Sequence, residues 1–360
     1  SVQVSVTNVN GNSASAGREY SVDATAPSVT INTIATDDIL NATEAQSDLA
    51  ISGTSTAEAG QTLTVSLNGK DFTTTVSADG SWTLNVPAAD LAGLTDGSVT
   101  VTASVSDKAG NPASVDHTLT VDVTVPGVTI HTVAGDDVIN TAEHNQAQIV
   151  SGSATGAAAG DKVTVTIGGQ TYTTVLDAAG NWSVGVPVNV ISGLSDGTVT
   201  VTASVTDAAG NTGSGTHNVT VDTGLPSVSF NAISDDNVLN AVEKGQDLSV
   251  SGTSANLAEG TVVTVILNGK NYTATTAADG TWSLTVPAAD LASLGEANYT
   301  LSATATNGVG NSVSNTANLL VDTALPTVTI NTVAGDNVIN AAEVAAGQTL
   351  SGRVTNAEAG

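Results

Sequence analysis

An all-β chain, folded as tandem seven-stranded β-sandwiches in an elongated rod, is what the sequence predicts, and three observations predict it. The first is strict alternation. In "SVTVTASVSD", Val99, Val101, Ala103 and Val105 face one side while Thr100, Thr102 and Ser104 face the other, which is the period of a half-buried strand. The second is punctuation: "NGK", "ADG", "TDG" and "KAGN" separate such runs, and no long helical pattern interrupts them. The third is self-similarity. Trp82, Trp182 and Trp282 recur in "DGSWTLNVP", "AGNWSVGVP" and "DGTWSLTVP", and Pro27, Pro126, Pro226 and Pro326 close "VDATAP", "VDVTVP", "VDTGLP" and "VDTALP".

These markers lie about one hundred residues apart, and such periods signal a repeat architecture. Taken in order, residues 1–22 match the tail of a repeat, since "SVTNVNGN" aligns with "SVSDKAGN". Residues 23–122, 123–222 and 223–322 form three complete repeats, and residues 323–360 match the head of another. The chain opens inside a strand pattern and contains no methionine, so an internal excerpt of a longer protein is expected. About seven short strands per hundred residues argue for an immunoglobulin-like sandwich. The recurring tryptophan reads as a core aromatic. Each linker leaves only a few residues between domains, and its proline stiffens them.

Composition narrows the function. The chain carries 34 acidic against seven basic side chains, a net charge of -27. Nucleic acid and anionic membranes need clustered Lys and Arg, so both are excluded as partners, and divalent cations become the natural ones. Charged residues are only 11% and apolar ones 40%, which is not a disordered acidic tail. There is no cysteine, so a secreted version needs another staple, for which metal is the candidate. No apolar run reaches the length of a membrane span.

The acidic residues are placed, not scattered. "IATDDILNATE", "VAGDDVINTAE", "ISDDNVLNAVE" and "VAGDNVINAAE" repeat one pattern. It supplies Asp37, Asp38, Asn41 and Glu44; then Asp136, Asp137, Asn140 and Glu143; then Asp236, Asn237, Asn240 and Glu243; and Asp336 in the last copy. Threaded as an antiparallel sandwich, this loop lies at the far pole of each domain. There it is expected to meet the closing aspartate Asp122 and the Asp177 and Asp207 loops of the next domain. Asp23, Asp222 and Asp322 repeat the linker position, and Asp107 repeats Asp207. Oxygen donors without His or Cys suit Ca²⁺. Unpaired carboxylates 4 Å apart repel by about 1 kcal/mol even in bulk water, and a bound dication reverses that sign. Asn237 and Asn337 stand where Asp38 and Asp137 do, and Asn307 and Asn8 where Asp107 and Asp207 do, so the expected sites weaken there.

Together, the "DxTxP" linkers, "GDDVINxAE" loops, "DGSWxLxVP" and "TDxAGN" resemble bacterial Ig-like repeats of giant type I-secreted adhesins, the Salmonella non-fimbrial adhesin and RTX-type biofilm adhesins among them. The resemblance covers the whole chain. It implies a secreted, cell-surface virulence protein in which such repeats form a stalk. Calcium at the domain junctions straightens that stalk, and a distant tip meets host glycans. The ligands it implies are the linker aspartates Asp23, Asp122, Asp222 and Asp322 with the loop positions above. Neighbouring repeats are the expected partners.

Two other classes compete. An enzyme needs a nucleophile held beside a His and a carboxylate, or a recognisable motif, and no glycine-rich phosphate loop, CxxC or HExxH is present. His117 and His217 are expected on the strand face opposite its apolar residues. A ligand-binding module would show exposed aromatics, yet aromatics are 2% of the chain; Tyr20 and Tyr299 are the candidates. Plain spacing without metal is the third reading.

Overall fold

The computed structural model describes residues 1–357; the last three residues of the expected 323–360 fragment lie outside the described residues. The chain is 49% strand and 8% helix. It forms two compact units. One gathers Ser1–Thr132, Ile149–Gly185 and Thr200–His217; the other gathers Val133–Gln148, Val186–Val199 and the chain from Asn218 onward.

The first unit begins with a hairpin of β1 (Val2–Thr7) and β2 (Ser13–Arg18), paired from Val2–Arg18 to Thr7–Ser13. A complete sandwich follows: β3 (Ile39–Asn41), β4 (Leu49–Thr54), β5 (Thr62–Leu67), β6 (Lys70–Thr75), β7 (Ser81–Val86), β8 (Gly97–Ser106) and β9 (Pro112–Asp122). One sheet has the order β3-β9-β8-β5-β6, the other pairs β4 with β7. Every pairing is antiparallel except β3 with β9, which run parallel and set Asn41 beside Asp122.

Alternation builds the core as expected. Leu63, Val65 and Leu67 of β5 and Val101, Ala103 and Val105 of β8 are all buried. Trp82 is 2% exposed and lies opposite Gly53 in the β4–β7 register. A Cβ at Gly53 would sit 2.6 Å from the Trp82 ring and 1.9 Å from the Thr30 carbonyl oxygen, so this glycine makes room for the indole. The same fit recurs at Gly152 with Trp182 and at Gly252 with Trp282. The tryptophans are packing residues.

The second unit holds another complete sandwich. Ser227–Phe230, Leu248–Ala255 and Thr281–Val286 form one sheet, and Val238–Leu239, Ser312–Val321, Ala297–Thr306, Val262–Leu267 and Lys270–Thr275 the other. Here too the short strand before the acidic motif's Asn runs parallel to the last strand. Val138–Asn140 does the same against Thr220–Asp222. Tyr299 packs against this unit's core and its hydroxyl accepts from Gly295 N at 2.9 Å; Tyr20 is 60% exposed.

One expectation is corrected. His117 does not sit opposite the apolar residues of β9. It shares their face with Leu119 and Val121, half-buried, because it is an even number of residues from both, and its Nε2 lies 2.6 Å from Asp38 Oδ1.

Candidate functional site

The paired aspartates have a local geometry that repeats. In each copy the first one makes a tight Asx turn: Asp37 Oδ1 accepts from Ile39 N at 3.0 Å, and Asp136, Asp236 and Asp336 accept from Val138, Val238 and Val338. The second residue closes the loop in both directions. Asp38 N donates to the Ile34 carbonyl and Asp38 Oδ1 accepts from Ile34 N, both at 2.8 Å. Its φ is 64°, and Asp137, Asn237 and Asn337 stand at 64°, 67° and 71°. Asp and Asn tolerate this left-handed region better than other side chains. Asn237 Oδ1 takes the bond from Ile233 N at 3.0 Å just as Asp38 does from Ile34. The exchange of Asp for Asn therefore follows a backbone requirement that either amide or carboxylate oxygen meets.

The rest of the motif is a capping box. Asn41 Oδ1 accepts from Thr43 N and Glu44 N, and Glu44 Oε2 accepts from Asn41 N at 3.1 Å. Asn140 with Glu143, Asn240 with Glu243, and Asn340 with Glu343 repeat it. The loop then feeds the last strand, since Thr120 N donates to the Asp38 carbonyl.

At the end of this motif the next repeat arrives. Ala42 N donates to Asn211 Oδ1 at 2.7 Å. Asn211 Nδ2 donates to the Asp122 carbonyl at 2.9 Å and to Asp207 Oδ2 at 3.0 Å. Asn211 is only 3% exposed. One amide thus joins the loop of one repeat, the linker, and the loop of the next. The arrangement recurs with Thr141 N on Asn311 Oδ1 at 2.7 Å and Asn311 Nδ2 on the Asp222 carbonyl at 2.9 Å. At the chain's start, Asn111 Nδ2 donates to the Asp23 carbonyl and to Asp107 Oδ2. Gly210 and Gly310 precede these asparagines with φ of 89° and 87°, a turn that a Cβ would strain.

A second carboxylate anchors each linker. Asp96 accepts from Val123 N at 2.8 Å and from the Thr124 hydroxyl at 2.5 Å. Asp196 and Glu296 hold Thr223 and Thr323 in the same way. These donors, the Thr124 hydroxyl first, hold the Asp96 carboxyl below the usual range. Asp122 moves the other way: burial first, then the charge of Asp207, with Asp96 and Asp161 adding to it, push its carboxyl up. Among the described residues neither Asp122 nor Asp207 has an ion-pair partner.

Family models of known domains match this chain three times, at residues 32–123, 124–223 and 231–323, each time as a bacterial Ig-like domain. The chain belongs to the bacterial Ig-like domain family. Among solved structures, a Ca²⁺-stabilised adhesin with which an Antarctic bacterium reaches out and binds ice is 40% identical. The match covers 93% of this chain and 84% of that one, with a TM-score of 0.44. A 1.5-MDa bacterial ice-binding adhesin is 33% identical over 83% of this chain and 98% of that one, with a TM-score of 0.45. A tetra-tandem repeat from the extending region of a large adhesion protein is 30% identical over 89% and 81%, with a TM-score of 0.32. No curated protein sequence matches.

In this bacterial Ig-like chain the expected ligands fall into two groups. Asn41 lies beside Asp122, and Asp207 raises the Asp122 pKa, so Asp122 and Asp207 come together with the capping box nearby. Asp222 and Asn140 repeat that placement. Asp38, by contrast, turns to His117, five residues back along β9 from Asp122; that hydrogen bond and the one from Ile34 N hold its carboxyl down. Asp177 caps its own turn, accepting from Ala179 N and Asn181 N. Asp23 and Asp322 do likewise for Thr25 N and Ala324 N. Among the described residues no three His, Asp or Glu side chains converge as a ready-made metal cage.

Sequence reasoning missed Asn111, Asn211 and Asn311 as the hubs, and Asp96, Asp196 and Glu296 as linker anchors. Both signals were present, in the last letter of "DxAGN" and in the acid of "TDG", "SDG" and "GEA". Each reads as an ordinary turn, and only tertiary structure shows what its side chain reaches.

Proposed function

We propose that this chain is a stalk segment of a large bacterial surface adhesin, secreted and non-enzymatic, whose domain junctions are tightened by Ca²⁺. In this reading residues 23–122, 123–222 and 223–322 are the domains, and the flanking fragments belong to further repeats. The observation that carries it is the junction itself. The Asp122 carboxyl is pushed up by burial and by Asp207; among the described residues neither has an ion-pair partner, and the carboxylate and carbonyl oxygens there are hard donors. That donor set fits a hard cation, so Asp122 and Asp207 are the carboxylates that would hold it, with Asp23 and Asp107 at the preceding junction and Asp322 at the following one; Asp222 occupies the same linker position but faces the neutral Asn307. Calcium supplies the positive charge there. What the protein supplies is position: Asn211 fixes Asp207 and the linker carbonyl together, and Asp96 fixes the linker backbone. Of the remaining expected ligands, Asp37, Asp38, Glu44, Asp136, Asp137, Glu143, Asp177, Asp236, Glu243 and Asp336 are retained as carboxylates that add to the acidic field, and Asn41, Asn140, Asn237 and Asn240 as neutral amide oxygens. Adhesins 40% and 33% identical in sequence, one described as Ca²⁺-stabilised, support the reading. On its motifs the Salmonella non-fimbrial adhesin is a further candidate relative, and a tip elsewhere in the full protein meets the host surface.

The test is calcium titration by calorimetry together with small-angle scattering in calcium and in chelator. Calcium should bind, and its removal should shorten or broaden the maximum dimension. Asp122→Asn and Asp207→Asn should weaken binding more than Asp37→Asn. No heat and identical scattering profiles would refute the reading.

A further inference from the structure

The two complete junctions are not equivalent: Asn307 stands where the first has Asp207, and Thr141 where the first has Ala42. At the first junction Asp207 presents two acceptor oxygens, and the Asn211 amide donates to Asp207 Oδ2 at 3.0 Å and to the Asp122 carbonyl at 2.9 Å, with only a long contact of 3.5 Å to Asp122 Oδ1. Nothing in the Asp207 side chain can donate to the linker. At the second junction Asn307 keeps the turn, since its Oδ1 accepts from Asn311 N at 2.9 Å and Val309 N at 3.2 Å, as Asp207 Oδ1 does from Asn211 N and Ala209 N. Its other atom is now a donor, and Asn307 Nδ2 reaches the Gly224 carbonyl of the linker at 3.2 Å. Asn311 Nδ2, with no carboxylate to serve, bonds both the Asp222 carbonyl at 2.9 Å and the Gly224 carbonyl at 3.2 Å. Thr141 adds a hydroxyl bond to the Thr223 carbonyl at 3.1 Å.

We infer that the Asp222–Asn307 junction is closed by protein hydrogen bonds alone, while the Asp122–Asp207 junction depends on a bound cation, so that calcium governs one joint of this segment and not the other. The inference rests on the calcium reading above and deepens it. The physical reason is the sign of position 307. A carboxylate there faces the linker's own acidic residue and needs a cation between them. A neutral amide satisfies the linker carbonyls directly, and hydrogen bonds between neutral groups are not removed by chelation. A stalk with joints of both kinds loosens at chosen points when calcium falls, instead of all along its length.

The chain lacks cysteine, so paired labels can be placed without background. Thr73, Thr173 and Thr273 occupy the same exposed position in the three repeats. Spin labels on Thr73→Cys with Thr173→Cys report the first junction, and on Thr173→Cys with Thr273→Cys the second, both in the full chain by pulsed electron spin resonance. On chelation the first pair's distance distribution should broaden or shift, and the second pair's should stay unchanged. Asn307→Asp should make the second pair respond to chelator, and Asp207→Asn should abolish the response of the first. If both wild-type pairs respond alike, the inference fails while the calcium reading stands. If neither pair responds, the calcium reading fails and this inference falls with it. The wild-type comparison needs no junction variant, so a variant that folds poorly does not rescue the idea.

Discussion

Asn211→Ala is the sharpest perturbation of the junction. The side chain is almost fully buried and supplies the acceptor for Ala42 N at 2.7 Å. It also supplies donors to the Asp122 carbonyl and Asp207 Oδ2. Alanine removes these contacts, and the longer one to Asp122 Oδ1 at 3.5 Å, and adds none. Losing the acceptor of a partly buried amide costs about 1–2 kcal/mol, and that corresponds to roughly 5- to 30-fold faster local opening, at 1.4 kcal/mol per factor of ten. Hydrogen exchange resolved at single amides reads this directly. Ala42 should exchange faster by that factor, while Thr43, whose N–H is held within its own repeat by Asn41 Oδ1, should not change. Asn211→Asp separates the two halves of the side chain: it keeps an acceptor for Ala42 but brings a third carboxylate against Asp122 and Asp207. Ala42 protection should then survive while the linker loosens. Unchanged exchange at Ala42 in the alanine variant would refute the hub, and equal acceleration of Thr43 would show general unfolding instead.

Three further outcomes follow from the geometry. Asp38→Asn keeps the acceptor for Ile34 N, as Asn237 does for Ile233 N, but gives up the carboxylate that faces His117, so it should cost measurably in urea unfolding; Asp38→Ala loses both contacts at a left-handed position and should cost more, about 1–2 kcal/mol. Gly53→Ala places a methyl 1.9 Å from the Thr30 carbonyl and should cost about 3 kcal/mol, with loss of the Trp82 fluorescence environment. Tyr272 is pushed up to about 12 by burial and then by Asp290, which accepts from its hydroxyl at 3.0 Å. The folded state therefore holds this proton more tightly than the unfolded chain, so the stabilisation is complete below pH 10 and is lost as pH rises toward 12. Spectrophotometric titration should show one late tyrosine, and Asp290→Asn should bring it down.

Much of the fold was legible because it depends on period and spacing. Alternation in β5 and β8 named the core side chains, and the recurring tryptophan named the packing centre. What escaped was wherever the meaning of a residue depends on a partner far along the chain. Asn211 donates to Asp122, 89 residues away, and Asp96 reaches Thr124 across 28; no local pattern encodes either distance. Parity also needs care, as His117 shows. It is in step with Leu119 and Val121, so it belongs to the inner face, where Asp38 is its partner.

The replacements of Asp by Asn test how far chemistry can be read from residue type alone. At 237 and 337 the sequence suggests weakened metal ligands. The structure gives a sufficient reason that involves no metal, because a side-chain oxygen at positive φ must accept the amide four residues earlier, and Asn does so as well as Asp. At 307 the same replacement means something else. The backbone is ordinary there, the oxygen's task is again met by either residue, and the atom that changes is the one aimed at the linker. The same substitution thus leaves the loop's own backbone bond intact at 237, while at 307 it turns an acceptor into a donor. The acidic charge of this chain is for that reason a poor guide to where the proposed cation would sit, and the orientation of the second oxygen, toward its own loop or toward the next domain, is the better one.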